Sequence, residues 1–120
     1  VLTVYAYEKC STCRKALGWL RDQGITCTIK PIREQPPSAA ELTRMLKAQG
    51  GALRSLFNTS GADYRALGLG AKLPGLTTAE AISLLAGNGN LVKRPFVVGP
   101  GVHLVGFDAA RWKSALSPKP

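Results

Sequence analysis

Acidic side chains are scarce: 7 Asp and Glu stand against 16 Lys and Arg in 120 residues, a formal net charge of +9. Such an excess favours acidic partners, among them nucleic acid, anionic membranes and oxyanions. The basic residues come singly or in short pairs, Arg14-Lys15 and Lys93-Arg94, and not in one tract. That pattern is a solvated basic surface, so neither direct nucleic-acid binding nor a membrane partner is expected. Cysteine is also sparse. Three cysteines, two of them in a single CxxC, do not make a disulfide framework. One histidine, His103, and Cys27 leave any zinc site without a second paired ligand spacing, so no metal is expected. No stretch approaches the roughly 18 apolar residues that span a bilayer. The apolar opening, residues 1–7, lacks a basic leader and a small-residue cleavage site; it does not read as a signal peptide, and a cytoplasmic location is expected. With no repeat and no low-complexity segment, residues 1–120 are expected to form one domain able to bury its own core.

What is present is well punctuated. Residues 1–6 (VLTVYA) are a β-branched and aromatic run, a strand by composition. Residues 11–23 carry Ala16, Leu17 and Leu20 in a helical stripe that Gly24 stops. Residues 25–32 alternate as a second strand. After Pro36-Pro37, Ser38 with Glu41 makes a capping box for a helix bearing Leu42, Met45 and Leu46, ended by Gly50-Gly51. NTSG (58–61) is turn chemistry, followed by a short helical piece around Tyr64 and Leu67. Thr77 with Glu80 makes a second capping box for a helix running to Gly87. Residues 95–98 and 102–105 flank Gly99-Pro100-Gly101 as a hairpin, and Asp108 caps a last helix with Phe107 and Trp112 placed as a hydrophobic staple. The order β-α-β, helices, β-β-α predicts a mixed four-stranded sheet with helices on both faces, the thioredoxin arrangement, with residues 38–87 as a helical insertion between its halves.

The chemistry concentrates in KCSTCRK, residues 9–15, where the first strand gives way to the first helix. A cysteine there faces unpaired helix N–H groups and the positive end of the helix dipole, which favour thiolate over thiol. Lys9, Arg14 and Lys15 add positive charge nearby. Cys13, one turn on, is placed to resolve a mixed disulfide formed at Cys10. Ser11 and Thr12 are small and polar, leaving the sulfur approachable. CxxC near the start of a βαβ unit is a redox pattern. Cys27, between Thr26 and Thr28 in a strand, is expected to be buried and inert.

EKCSTCRKALGWL (8–20), EQPPSAAEL (34–42), LFNTSGADYRALGL (56–69), LVKRPFVV (91–98) and VGFD (105–108) occur in the order found in the ArsC/Spx family. The chain resembles that family over nearly its whole length, most of all its YusI-like branch, through QPPS and FNTSG-x-x-YR-x-L. The resemblance implies a thioredoxin-like fold and a thiol-disulfide oxidoreductase linked to glutathione and glutaredoxin or to thioredoxin, with no other cofactor. It makes Cys10 the nucleophile, with Cys13 or glutathione resolving the adduct. Arg94 becomes a catalytic anion holder, with Ser11, Thr12, Arg14, Asn58 and Pro95 around the substrate and the Arg94-Pro95 bond cis beside the active cysteine. Arsenate reductases of the family carry Ser where this chain has Cys13, and Asn58 and Gly106 stand at two of their three oxyanion arginines. Weak or no arsenate reduction is therefore expected. The same family includes Spx-type regulators, whose CxxC is a redox switch and which bind RNA polymerase; a redox-switched binding protein is the alternative.

Overall fold

A computed structural model describes residues 2–116; Val1, expected in the first strand, and residues 117–120 lie outside. The strands are β1 (Leu2–Ala6), β2 (Cys27–Pro31), β3 (Phe96–Gly99) and β4 (Val102–Val105). The helices are α1 (Ser11–Asp22), α2 (Ala39–Ala48), α3 (Ala62–Ala66), α4 (Leu69–Lys72), α5 (Thr78–Gly87) and α6 (Ala109–Leu116), with 3-10 turns at Leu53–Leu56, Leu73–Gly75 and Gly89–Leu91. The four strands form one mixed sheet in the order β2-β1-β3-β4, β1 and β2 parallel and the other pairs antiparallel.

Register distributes the side chains between two cores. Val4 pairs with Val97, and Val97 with Leu104, so these three point to one face. There they meet Cys13, Ala16 and Leu20 of α1 and Trp112 of α6. One residue along, Tyr5 pairs with Phe96 and Phe96 with Val105, and this row faces the other way. It packs on Leu42, Met45 and Leu46 of α2 and Ala81, Ile82 and Leu85 of α5. Helices thus cover both faces of a thioredoxin-like sheet, and the connection between β2 and β3 is helical. No helix among the described residues is long and apolar enough to cross a membrane.

Both capping boxes form: Ser38 and Glu41 close on each other's backbone N–H, as do Thr77 and Glu80. Glu41 has a second task, accepting the Tyr5 hydroxyl at 2.8 Å, which ties α2 to the sheet. Burial works to raise the Glu41 carboxyl, but bonds from Ser38 and Tyr5 and the charge of Lys30 outweigh it and hold it below the usual carboxylate range. Burial, reinforced by Glu41, pushes the Tyr5 phenol up to about 12. Glu41→Ala should cost about 1–2 kcal/mol in chemical denaturation at neutral pH, from the lost cap and the orphaned hydroxyl. A lowered carboxyl stabilises the fold above its unfolded-state pKa and loses that contribution as pH falls through the folded one. The gap between wild type and variant should therefore narrow in acid.

The strand expected at 25–32 is shorter, because the Ile25 N–H still closes the end of α1 on the Leu20 carbonyl at 3.0 Å. The helical piece near Tyr64 ends at Ala66 and restarts as α4, since Gly68 between them has φ +64°.

Candidate active site

Cys10 ends the loop after β1 and is the N-cap of α1, with extended backbone (φ −91°, ψ 119°). Its Sγ accepts the Cys13 N–H at 3.4 Å, so sulfur takes the place usually filled by a Ser or Asp oxygen. The thiol is half-buried. Burial opposes the thiolate, but the Cys13 backbone and side chain, the Thr12 N–H and the Arg94 charge outweigh it and lower its pKa below the ordinary thiol value. Cys13 is fully buried one turn on, on the α1 stripe that meets the sheet. Burial first, then the hydrogen bond and charge of Cys10, push its thiol up to about 12 against the opposing influence of the Tyr7 backbone and Arg94. Two thiols three residues apart are thereby split into an accessible one that ionises readily and a covered one that does not.

The Arg94–Pro95 peptide is cis. Arg94 enters the site from the stretch leading into β3. Its guanidinium carbon lies 5.1 Å from the Tyr7 ring centroid, and its buried Nη1 has no hydrogen-bond partner. A partly buried cation with an open donor near a thiolate is equipped to hold an anion there. Arg33 also holds Tyr7, its Nη1 donating to the phenol oxygen at 3.0 Å. Two bonds clamp the NTSG turn against this stretch: Asn58 N–H to the Leu91 carbonyl at 2.7 Å and Lys93 N–H to the Leu56 carbonyl at 2.8 Å.

A cleft of about 500 Å³ gathers Cys10, Thr12, Asn58 and Arg94. Ser11 and Arg14 are exposed on α1 and outside its lining, and Pro95 is buried behind Arg94. Arg14 donates Nε to the Glu8 carbonyl at 2.8 Å, so its guanidinium braces the loop before Cys10. Sequence reasoning missed Ser60 and Arg111, which also line the cleft, and Phe107 and Trp112, which form its aromatic wall with ring centroids 4.9 Å apart. Their signal was present in VGFDAARW, but as a helix start. Cys27 corrects the expectation of burial: β2 is a sheet edge, so the thiol is only half-buried, and partial burial raises its pKa. A second cavity, about 520 Å³ and lined by Leu53, Arg54, Tyr64 and Leu73, holds no thiol; Thr59 faces it while its neighbours Asn58 and Ser60 face the cysteine cleft. Among the described residues, no three His, Cys, Asp or Glu side chains gather as metal ligands.

Comparison with known proteins places this geometry. YusI of Bacillus subtilis is 44% identical over 106 residues, covering 88% of this chain and 90% of YusI. An arsenate reductase of Rhizobium meliloti is 34% identical over 99 residues, 82% of this chain and 69% of that one. The regulatory protein MgsR of Bacillus subtilis is 25% identical over 107 residues, 89% of this chain and 83% of its own. The crystal structure of an ArsC family related protein from Bacteroides fragilis superposes with a TM-score of 0.90 at 41% identity, covering 95% and 96% of the two chains. The ArsC family model matches residues 5–115. The chain belongs to the ArsC family.

Proposed function

We propose that the protein is a thiol-disulfide oxidoreductase of the reducing cytoplasm in which Cys10 attacks and Cys13 resolves. The observation that supports this best is the split between the two thiols: Cys10 lowered at the α1 N-terminus, Cys13 covered behind it and raised to about 12. The Cys10 thiolate attacks one sulfur of a disulfide R–S–S–R′, forms Cys10–S–S–R and expels R′–S⁻. That bond removes the Cys10 charge and the hydrogen bond that hold the Cys13 proton, leaving burial as the main obstacle to its ionisation. Cys13 then gives its proton to solvent, attacks Cys10 and expels R–S⁻. The substrate gains two electrons and the protein carries a Cys10–Cys13 disulfide. Two glutathione molecules, or one reduced glutaredoxin or thioredoxin, return the electrons. Arg94 and Asn58 hold the substrate in the cleft, and neither metal nor nucleotide enters the cycle. Arsenate turnover should be weak, because Asn58 and Gly106 supply no charge where guanidinium groups would be needed, and each charged hydrogen bond is worth about 1.5–3 kcal/mol.

The test equilibrates the protein with glutathione redox buffers and then assays turnover of a mixed disulfide, and of arsenate, with glutathione plus glutaredoxin or with thioredoxin. The expected result is a Cys10–Cys13 midpoint of roughly −180 to −270 mV, sustained disulfide turnover and little arsenate-dependent turnover. Likeness to MgsR supports a second reading, a redox-switched binding protein with a partner such as RNA polymerase. Reversible disulfide formation without turnover, with affinity for that partner changing on oxidation, would favour it.

A further inference from the structure

Lys93 carries an observation that the thiol chemistry does not use. Its Cε lies 3.1 Å, and its Nζ 3.8 Å, from the point where a Cβ at residue 106 would stand. A Cβ there would press on this side chain, which lies across the Gly106 backbone and into the lining of the cysteine cleft. The placement is held at both ends. The Lys93 N–H is bonded to the Leu56 carbonyl at 2.8 Å, and the Gly106 N–H to the Pro95 carbonyl at 2.9 Å. The ammonium is exposed and has no carboxylate partner among the described residues. The carboxylate that shares the cleft, Asp108, is engaged elsewhere: its Oδ1 accepts the Ala110 and Arg111 N–H groups at 3.0 and 3.3 Å as the cap of α6. Arg111, the third cation in the lining, donates Nη2 to the Gln49 side chain at 2.9 Å.

The cleft therefore offers two cations at different depths. Arg94 is inner, partly buried against Tyr7, and its charge already acts on Cys10. Lys93 is outer and solvated, with no charge to answer. A substrate sulfur reacting at Cys10 would place its substituents in the cleft that Lys93 also lines. We propose that Lys93 is the specificity-determining cation of this cleft, selecting disulfides that bear a carboxylate close to the reactive sulfur. This rests on the thiol-disulfide reading of the site.

Two aromatic disulfides test it. 5,5′-Dithiobis(2-nitrobenzoate) carries a carboxylate on each ring, and 4,4′-dithiodipyridine is neutral. Each reacts with reduced protein in the same balanced way: Cys10 displaces one aryl thiol group, Cys13 displaces the second, and two absorbing products leave for one protein disulfide, thionitrobenzoate from the first probe and, after protonation on nitrogen, 4-thiopyridone from the second. Rates are read by stopped-flow absorbance at low ionic strength, for wild type, Lys93→Gln and Lys93→Arg. The ratio of the anionic to the neutral probe's rate should fall about three- to tenfold in Lys93→Gln, recover in Lys93→Arg, and lose this difference in high salt. Taking the ratio cancels any effect of Lys93 on the Cys10 thiolate itself. A ratio unchanged by Lys93→Gln, with both probes still reacting, overturns the role of Lys93 and leaves the redox reading standing. Failure of both probes to react with wild-type Cys10 would instead overturn the redox reading.

Discussion

Cys13→Ser should convert the protein into a covalent trap. Cys10 would still attack a disulfide, because its helix N–H partners and Arg94 remain, but nothing behind it would expel the bound half. An intramolecular thiol acts at a very high effective concentration, so release of the bound thiol should slow by about a hundredfold or more unless external thiol is added. Intact-mass spectrometry would then show one adduct per chain. Cys10→Ser should behave in the opposite way. A hydroxyl is not appreciably ionised near neutral pH, and disulfide exchange should fall by at least about a thousandfold with no adduct formed. The two substitutions separate attack from resolution. If Cys13→Ser still turned over at the wild-type rate without added thiol, Cys13 would not be the resolving group and Cys27 would need to be considered.

The second large effect concerns folding. Gly89 lies in the 3-10 turn Gly89–Leu91, packed against the chain leaving β2, and a Cβ on it would overlap the Ile32 carbonyl and lie 3.0 Å from the Arg33 Cα. The obstacle is backbone, so no side-chain rotation relieves it. Gly89→Ala should destabilise the protein by about 3 kcal/mol, near the upper end for overpacking. Gly61→Ala provides the contrast. Its Cβ would meet the Asn58 amide nitrogen at 2.7 Å, the end of a side chain that can turn away, and comes no nearer than 3.2 Å to backbone, at the Asn58 carbonyl. Chemical denaturation of both should rank Gly89→Ala well below Gly61→Ala. The ranking matters to the site, since the turn at Gly89 leads through Leu91 and Val92 directly to Lys93, Arg94 and Pro95. Equal stabilities would mean that the Ile32 segment yields easily.

Local signals were legible in the sequence where one short segment contains the whole interaction. Ser38 and Glu41, Thr77 and Glu80, and Phe107 with Trp112 each form the cap or staple that their spacing implies. Cys10 at the start of α1 is of the same kind, because the N–H group that its sulfur meets belongs to the next turn of its own helix. What was not legible depends on distant parts of the chain converging. Ser60, Lys93 and Arg111 share a cleft because a turn, the approach to β3 and α6 meet at one end of the sheet. Lys93 reaches Gly106 only through that meeting. The exposure of Cys27 depends on β2 being an edge, and alternation along a strand does not reveal whether a neighbour will cover it. Arg14 was legible as positive charge near the thiolate, but its bond to the Glu8 carbonyl, six residues back along the chain, was not.

The central claim is that the fold makes Cys10 the ionising thiol and Cys13 the withheld one. It is tested most directly by the pH dependence of alkylation, with limiting iodoacetamide and each cysteine read by peptide mass spectrometry. A lowered pKa brings the thiolate, and with it the labelling rate, in at lower pH. Cys10 should therefore label first, with a midpoint below the ordinary thiol value. Cys27 should follow with a midpoint above that value, and Cys13 should stay unlabelled in the folded protein until pH approaches about 12. Labelling of Cys13 or Cys27 ahead of Cys10, or a Cys10 midpoint at or above the ordinary thiol value, would contradict the account.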